Sequence, residues 1–441
     1  MQKVYLQYGN NSGRRIPLAI ELSQCREEGK DIAEYSRKAE KIWDITDFKD
    51  REAAAKRFLR ETYNLPVAES FPYCEPNGYD EILAQLPSKF PTGGRTALAD
   101  NQIYGKLYGG ILGRCAGCLL GKPVEQWSRE DIAALLKRMK KESFDDYLLE
   151  TENTGFEDGT AHLPGKIEHM PFDDDIDYVV LNLLVLENFG KDFTAEDVGE
   201  CWLNYLSLFS TFSAEQIAYR NIANLVLPPE SATSANPYRE WIGAQIRADV
   251  WGYINPGNME RAAKLAYTDS SISHVKNGIY ASMFNAAMIA KAYTTNCIED
   301  IISAALDYVP MKSRLAEAVQ DSLLWRKTIP GFESALDRMY EKYGHYSPVH
   351  SINNAIVCCL ALLYSGGDFE KAISYAVSAG LDTDCNGATV GSVMGILLGA
   401  ENLPPKWIAP FNDLYQSNIS QIGMIKISGI AKRLMQQMNN G

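Results

Sequence analysis

Several signals are scarce in this sequence, and each absence narrows its class. No run of about 18 apolar residues is long enough to span a bilayer. The start, Met1-Gln2-Lys3-Val4-Tyr5, has no apolar signal core. Nine cysteines, an odd count, stand at irregular positions. Cys201, Cys297, Cys358 and Cys359 lie in apolar helical contexts, where a reduced, buried thiol is expected. These features argue against a disulfide framework and for a cytoplasmic protein. Cys115-Ala116-Gly117-Cys118 has CxxC spacing, but no second Cys or His pair stands at zinc spacing, so it reads as core packing. Positive charge is in deficit: 43 Lys and Arg against 56 Asp and Glu give a net charge of −13. That balance argues against non-specific nucleic-acid binding and against docking on an anionic membrane. Alternating β runs joined by hairpin turns are missing as well. The fold class is all-α.

What is present is a chain of 441 residues, 46% hydrophobic, enough for a large core and one appendage. Residues 1–85 read as a small helical appendage, with charge-rich amphipathic helices over Ile32–Trp43 and Phe48–Tyr63 and a solvated face. Residues 86–100, with two prolines and a Gly-Gly, read as a linker. The main domain runs from 101 to 441. Residues 141–170 form a long polar loop, and 227–241 another. Helices are expected near 128–140, 173–188, 198–209, 259–267, 278–293, 297–308, 312–326, 330–343, 350–364, 369–379 and 387–400.

Two stretches of the main domain share an unusual pattern. Gly105, Gly109, Gly113 and Gly117 recur every four residues, as do Gly391, Gly395 and Gly399. Such spacing puts glycines on one helix face, where a second helix can approach closely. Glycine is a poor helix former, so the repeat signals packing.

The second of these helices is led by Gly380-Leu381-Asp382-Thr383-Asp384-Cys385-Asn386-Gly387. Aspartates at a helix N-terminus suit the dipole and can cap it. One oxygen suffices for a cap, whereas this run supplies a set that suits a hard cation. Both readings stand on this stretch alone. Pro171-Phe172-Asp173-Asp174-Asp175-Ile176-Asp177 leads another almost wholly apolar helix. Adjacent carboxylates at the mouth of a buried helix repel one another unless a cation neutralises them. Two such clusters are most economically explained by one dinuclear metal site.

Three stretches, in this order, resemble the ADP-ribosylglycohydrolase family. They are Gly113 to Glu125 (GRCAGCLLGKPVE), Asp173-Asp174-Asp175, and Gly380 to Asn386. Ser273-His274-Val275-Lys276-Asn277-Gly278 is similar to the family's histidine segment. The resemblance spans about residues 101–410. It implies a compact orthogonal bundle of helices holding two Mg²⁺ ions, with Mn²⁺ as the alternative. It implies that Asp173, Asp174 and Asp175 serve one ion and that Asp382, Asp384 and Cys385 complete the pair, Asp384 bridging. Glu125, Asp174 and Asp384 take the catalytic roles. Glu125, His274, Asn277 and Asn386 lie against the ligand. Gly243 and Gln245, on the 242–246 turn, offer backbone amides to a pyrophosphate.

The chain departs from the family pattern at Asp173 (for Thr), Ile176 (for Thr), Cys385 (for Thr) and Cys118 (for Asp). Asn386 or Asp177 is the candidate to compensate. The implied reaction is Mg²⁺-dependent hydrolysis of the glycosidic bond of an ADP-ribosylated side chain or small conjugate, releasing ADP-ribose. The alternatives are hydrolysis of another ribosyl N-glycoside and a non-catalytic member of the fold.

Overall fold

The structure is a computed structural model and describes residues 15–87, 96–148 and 165–439. Five helices position the site: α1 (Asp100–Gly121), α2 (Asp174–Phe189), α3 (Lys276–Ala292), α4 (Ser351–Ser365) and α5 (Thr383–Leu398). All five are apolar over most of their circumference, so each can be satisfied only inside a shell of other helices. That shell consists of shorter amphipathic helices such as Ile298–Leu306, Phe332–Tyr343 and Phe369–Ser378. The protein is all-α.

The centre of the bundle is the α1–α5 pair. Gly109 meets Gly395, Gly113 meets Gly391, Gly117 meets Gly387 and Gly121 meets Thr383. A Cβ built on any of these four α1 glycines would collide with backbone of α5. Each step forward along α1 is matched by a step back along α5, so the helices run antiparallel. The consequence for function is direct: the C-terminus of α1 lies against the N-terminus of α5. Thr383 Oγ1 clasps the end of α1 by donating to Gly121 O at 2.8 Å. Gln126 N donates to Leu381 O at 3.0 Å, with Leu381 in the left-handed region at φ +67°. That strained backbone is held by its surroundings.

The helix expected over 387–400 begins four residues earlier, at Thr383, so Asp384, Cys385 and Asn386 lie inside its first turn. A short antiparallel hairpin, β1 (Leu414–Gln416) and β2 (Met424–Lys426), also departs from the expected pattern. Its strands are too short to show alternation. The hairpin is pinned to α2: Asp177 accepts from the Tyr415 hydroxyl at 2.7 Å, from the Ser417 hydroxyl and from Asn418 N at 3.1 Å. Asp177 therefore braces the C-terminal hairpin and does not compensate at the acidic cluster. Tyr415→Phe is expected to cost about 1.5 kcal/mol, the worth of a hydrogen bond to a charged acceptor, read as a lowered urea midpoint. An unchanged midpoint would show that the hairpin is not held by this bond.

The N-terminal segment has a small core of its own, Leu18, Ala39, Phe58 and Leu59. Its first described helix, Arg15–Glu27, is one the sequence pattern did not reveal. The segment is more than a solvated face. Glu21 and Glu28 are buried against Arg239 at 2.6 and 2.8 Å, and Glu75 against Arg314 at 2.7 Å. Buried carboxylates without these guanidinium partners would be strongly unfavourable, so the charge density of the segment is partly an internal ion network. Cys297 is exposed, because it precedes its helix instead of lying within it. The linker is described only in part, and most of the 141–170 loop lies outside the described residues.

Candidate active site

The antiparallel α1–α5 pair and the N-terminus of α2 converge on one acidic cluster. Three overlapping groups bring ligand atoms within 4.8 Å of one another: Cys118, Asp173 and Asp175; Asp175, Asp384 and Cys385; Glu125, Asp382 and Asp384. Asp174 belongs to none of these groups but feels the charge of Asp173, Asp175 and Glu125. All of the carboxylates expected at the site thus come together, with Glu125 on the exposed side and Asp382 and Asp384 buried.

The caps can now be separated from the potential ligands. Asp173 does cap α2: its Oδ1 accepts from Asp175 N at 3.0 Å. Asp382 stands at the N-cap position of α5 but makes no side-chain cap hydrogen bond. Asp384 Oδ1 is buried without a partner, and so is Asp175 Oδ2. Burial raises the carboxyls of Asp174, Asp175 and Asp384 well above the usual carboxylate range, and that of Asp382 to about 7, with the neighbouring carboxylates adding to it. The charged forms of these groups are unfavourable together in this setting. A cation would reverse the balance, and the unpartnered oxygens of Asp175 and Asp384 are hard donors that could hold one.

Two supporting residues were not recognised in the sequence. Arg114, wholly buried on α1, donates to Asp175 Oδ1 at 2.7 Å and to Asp249 Oδ2 at 2.9 Å. It also binds the carbonyls of Asp175 and Ile246. It thereby fixes the rotamer of Asp175 and leaves Oδ2 as the free atom. The available signal was a lone arginine inside an apolar, glycine-rich helix. Asn354 of α4 is the second: its Oδ1 accepts from Asp382 N at 3.3 Å and from Asn386 Nδ2 at 2.8 Å. An Asn-Asn pair opening an apolar helix gave no comparable hint.

The remaining expected ligand residues lie around this cluster or away from it. Asn386 is turned to Asn354 and to the thiol of Cys358 (3.4 Å). Gln245 lies 3.9 Å from the same thiol, its Oε1 buried and unpartnered. The amides of Ile242, Gln245 and Ile246 are already spent on carbonyls. The Glu215 carboxylate packs against Gly243, where a Cβ would collide with it. This turn therefore faces an anion of the protein's own. His274 is buried beside it, 2.8 Å from Ser273 Oγ and 3.9 Å from Glu215. Burial and Arg247 hold its pKa well below the usual imidazole range, so the ring is neutral. Asn277 belongs to a different network and donates to Glu75 and Glu240, both at 2.8 Å.

The stretch that holds this cluster falls within a known family: the family model ADP-ribosylglycohydrolase matches residues 99–440. The chain belongs to the ADP-ribosylglycohydrolase family. It is accordingly a glycosidase, a hydrolase acting on ADP-ribosyl linkages. The family match begins after the N-terminal segment with its ion network. A solved structure, "ADP-ribosylglycohydrolase-related protein complex", is similar at 19% identity over 77% of this chain and 99% of that chain, with a TM-score of 0.46. At that score the likeness adds nothing to the family match. Comparison with curated protein sequences gives no match. No helix among the described residues of this ADP-ribosylglycohydrolase family member is long and apolar enough to cross a membrane.

Proposed function

We propose that this protein is a Mg²⁺-dependent hydrolase that cleaves the glycosidic bond of an ADP-ribosylated side chain or small conjugate and releases ADP-ribose. The observation that carries the reading is the pair of unpartnered, buried oxygens on Asp175 and Asp384, two residues of one acidic cluster that has Glu125 as its exposed member. Asp382, Asp384 and Asp175 would hold a divalent cation, with Asp174 next to them; Mn²⁺ suits the same oxygen donors. When bound, the cation supplies positive charge that orients the ribose hydroxyls and favours deprotonation of a water.

The protein's own groups do the rest. Glu125 is the one carboxylate of the cluster exposed to incoming substrate, so it is the group placed to hold or pass a proton at the scissile bond. Arg114 keeps Asp175 from turning away, and Asn354 fixes the backbone at Asp382. A site of this negative charge favours the oxocarbenium-like character that develops at the anomeric carbon.

The test is a release assay on ADP-ribosyl-arginine, ADP-ribosyl-serine and a plain nucleoside, with Mg²⁺ and after chelation. ADP-ribose is expected from at least one ADP-ribosyl substrate, with turnover falling on the order of 10²-fold on chelation, consistent with losing several kcal/mol of charge stabilisation. Cleavage of the nucleoside alone would replace this reading with that of a ribosyl N-glycosidase. Full turnover in chelator would remove the metal from it.

A further inference from the structure

Lys122 has no role in the reading above, yet it enters the acidic cluster. It follows α1 directly, and its Nζ lies 2.6 Å from Asp173 Oδ2 and 3.1 Å from Phe172 O. The side chain of Asp173 is 2% exposed and that of Lys122 is 18% exposed. The family resemblance implies a threonine at position 173, where this chain carries an aspartate. Its two oxygens are both engaged, Oδ1 with the Asp175 amide that it caps and Oδ2 with the ammonium. In the same group, Asp175 Oδ1 is engaged by Arg114 at 2.7 Å. The group of Cys118, Asp173 and Asp175 is thus already supplied with two fixed cations.

The free oxygens lie elsewhere. Asp384 belongs to both of the other groups, and its Oδ1 is buried and unpartnered; Asp175 shares one of those groups with it, and its Oδ2 is unpartnered as well. Building on the metal-dependent reading above, we infer that the Lys122 ammonium takes the place of one of the two divalent ions that the family resemblance implies, and that this protein binds a single divalent ion, on Asp384. The extra carboxylate at 173 and the lysine at 122 neutralise each other. A permanent monovalent charge then occupies the aspartate-triplet side of the site, and the exchangeable ion occupies the Glu125–Asp382–Asp384 side. An ammonium is a compact point charge able to serve several oxygens at once, as it does with Asp173 and the Phe172 carbonyl.

The test counts ions. Mn²⁺ alone is titrated into the chelator-stripped full chain by calorimetry, and the bound ion is read by electron paramagnetic resonance, which distinguishes an isolated Mn²⁺ from a spin-coupled pair. Wild type is expected to bind one ion with an uncoupled spectrum. Lys122→Met, close in size and uncharged, is expected to admit a second ion and to show a coupled pair. Lys122→Arg keeps the charge and is expected to stay at one ion. Circular dichroism of each variant checks that it is folded. Two ions in wild type would overturn the inference and leave the metal-dependent hydrolase intact. No ion in wild type would overturn that parent reading as well. One ion in Lys122→Met, bound as in wild type, would show that the ammonium excludes nothing and overturn its role.

Discussion

Asp384→Ala is expected to lower turnover on the order of 10³-fold, the scale of losing a principal electrostatic contact to the transition state, while leaving the protein folded. Asp384, like Asp175, belongs to two of the three potential ligand groups, and one of its oxygens is buried with no partner. It sits in the first turn of α5, beside the end of α1, where Thr383 and not Asp384 makes the contact that joins the two helices. Its removal therefore takes away a ligand without taking away a clasp. The sign of the stability change is also informative. Burial and the neighbouring carboxylates push the Asp384 carboxyl upward. In chelator, a variant with one fewer acid should be as stable as wild type or more so, because the cluster loses a repulsive member. In excess Mg²⁺ it should lose the stabilisation that bound ion gives wild type. Thermal midpoints of both proteins, measured with and without Mg²⁺, check this alongside single-turnover assays. Retained turnover would remove Asp384 from the chemistry, and a strong midpoint loss in chelator would mark it as a structural residue instead.

Gly117→Ala should destabilise the protein by about 3 kcal/mol, at the upper end for overpacking because the obstacle is backbone rather than a movable side chain. A Cβ at 117 would enter the carbonyl of Gly387 on α5. Neither helix can bow away easily, since both are buried along most of their length and meet through glycine at 109, 113 and 117. The cost reaches the chemistry. Separating the α1 end from the α5 start moves Glu125 relative to Asp382 and Asp384, and a misplacement of about 1 Å can cost on the order of 10²-fold in rate. Gly105→Ala is the matched control. Its Cβ would meet only the Glu401 carboxylate, at 3.4 Å. It should be neutral or stabilising by up to about 1 kcal/mol, from helix propensity alone. If the two alanines shift the thermal midpoint equally, close backbone approach at 117 is not what the repeat is for.

The elements read from the sequence and those missed differ in one physical respect. The apolar helices announced themselves because burial on all sides leaves no polar face to interrupt the pattern. The glycine repeats announced close packing, and the two acidic runs announced a shared site. The helix over Arg15–Glu27 was not seen because its polar residues are spent on partners more than 200 residues away, as in Arg239 with Glu21 and Glu28. A buried ion network looks, in one dimension, like a solvated charged face. Asp177 was misplaced for a related reason: adjacent to three aspartates in sequence, it points to the hairpin formed by Tyr415 and Ser417.

The sequence by itself therefore determined the class, all-α, the two central helices and the identity of the acidic residues, since these rest on local composition and on periodicities of a few residues. Only the tertiary structure decided which carboxylates are caps and which are left free, that Arg114 and Lys122 stand among them, and that the 242–246 turn faces Glu215. Those outcomes depend on which atoms meet across hundreds of residues of chain. A side chain's spare lone pair is a property of its neighbours in space, and no local pattern encodes it.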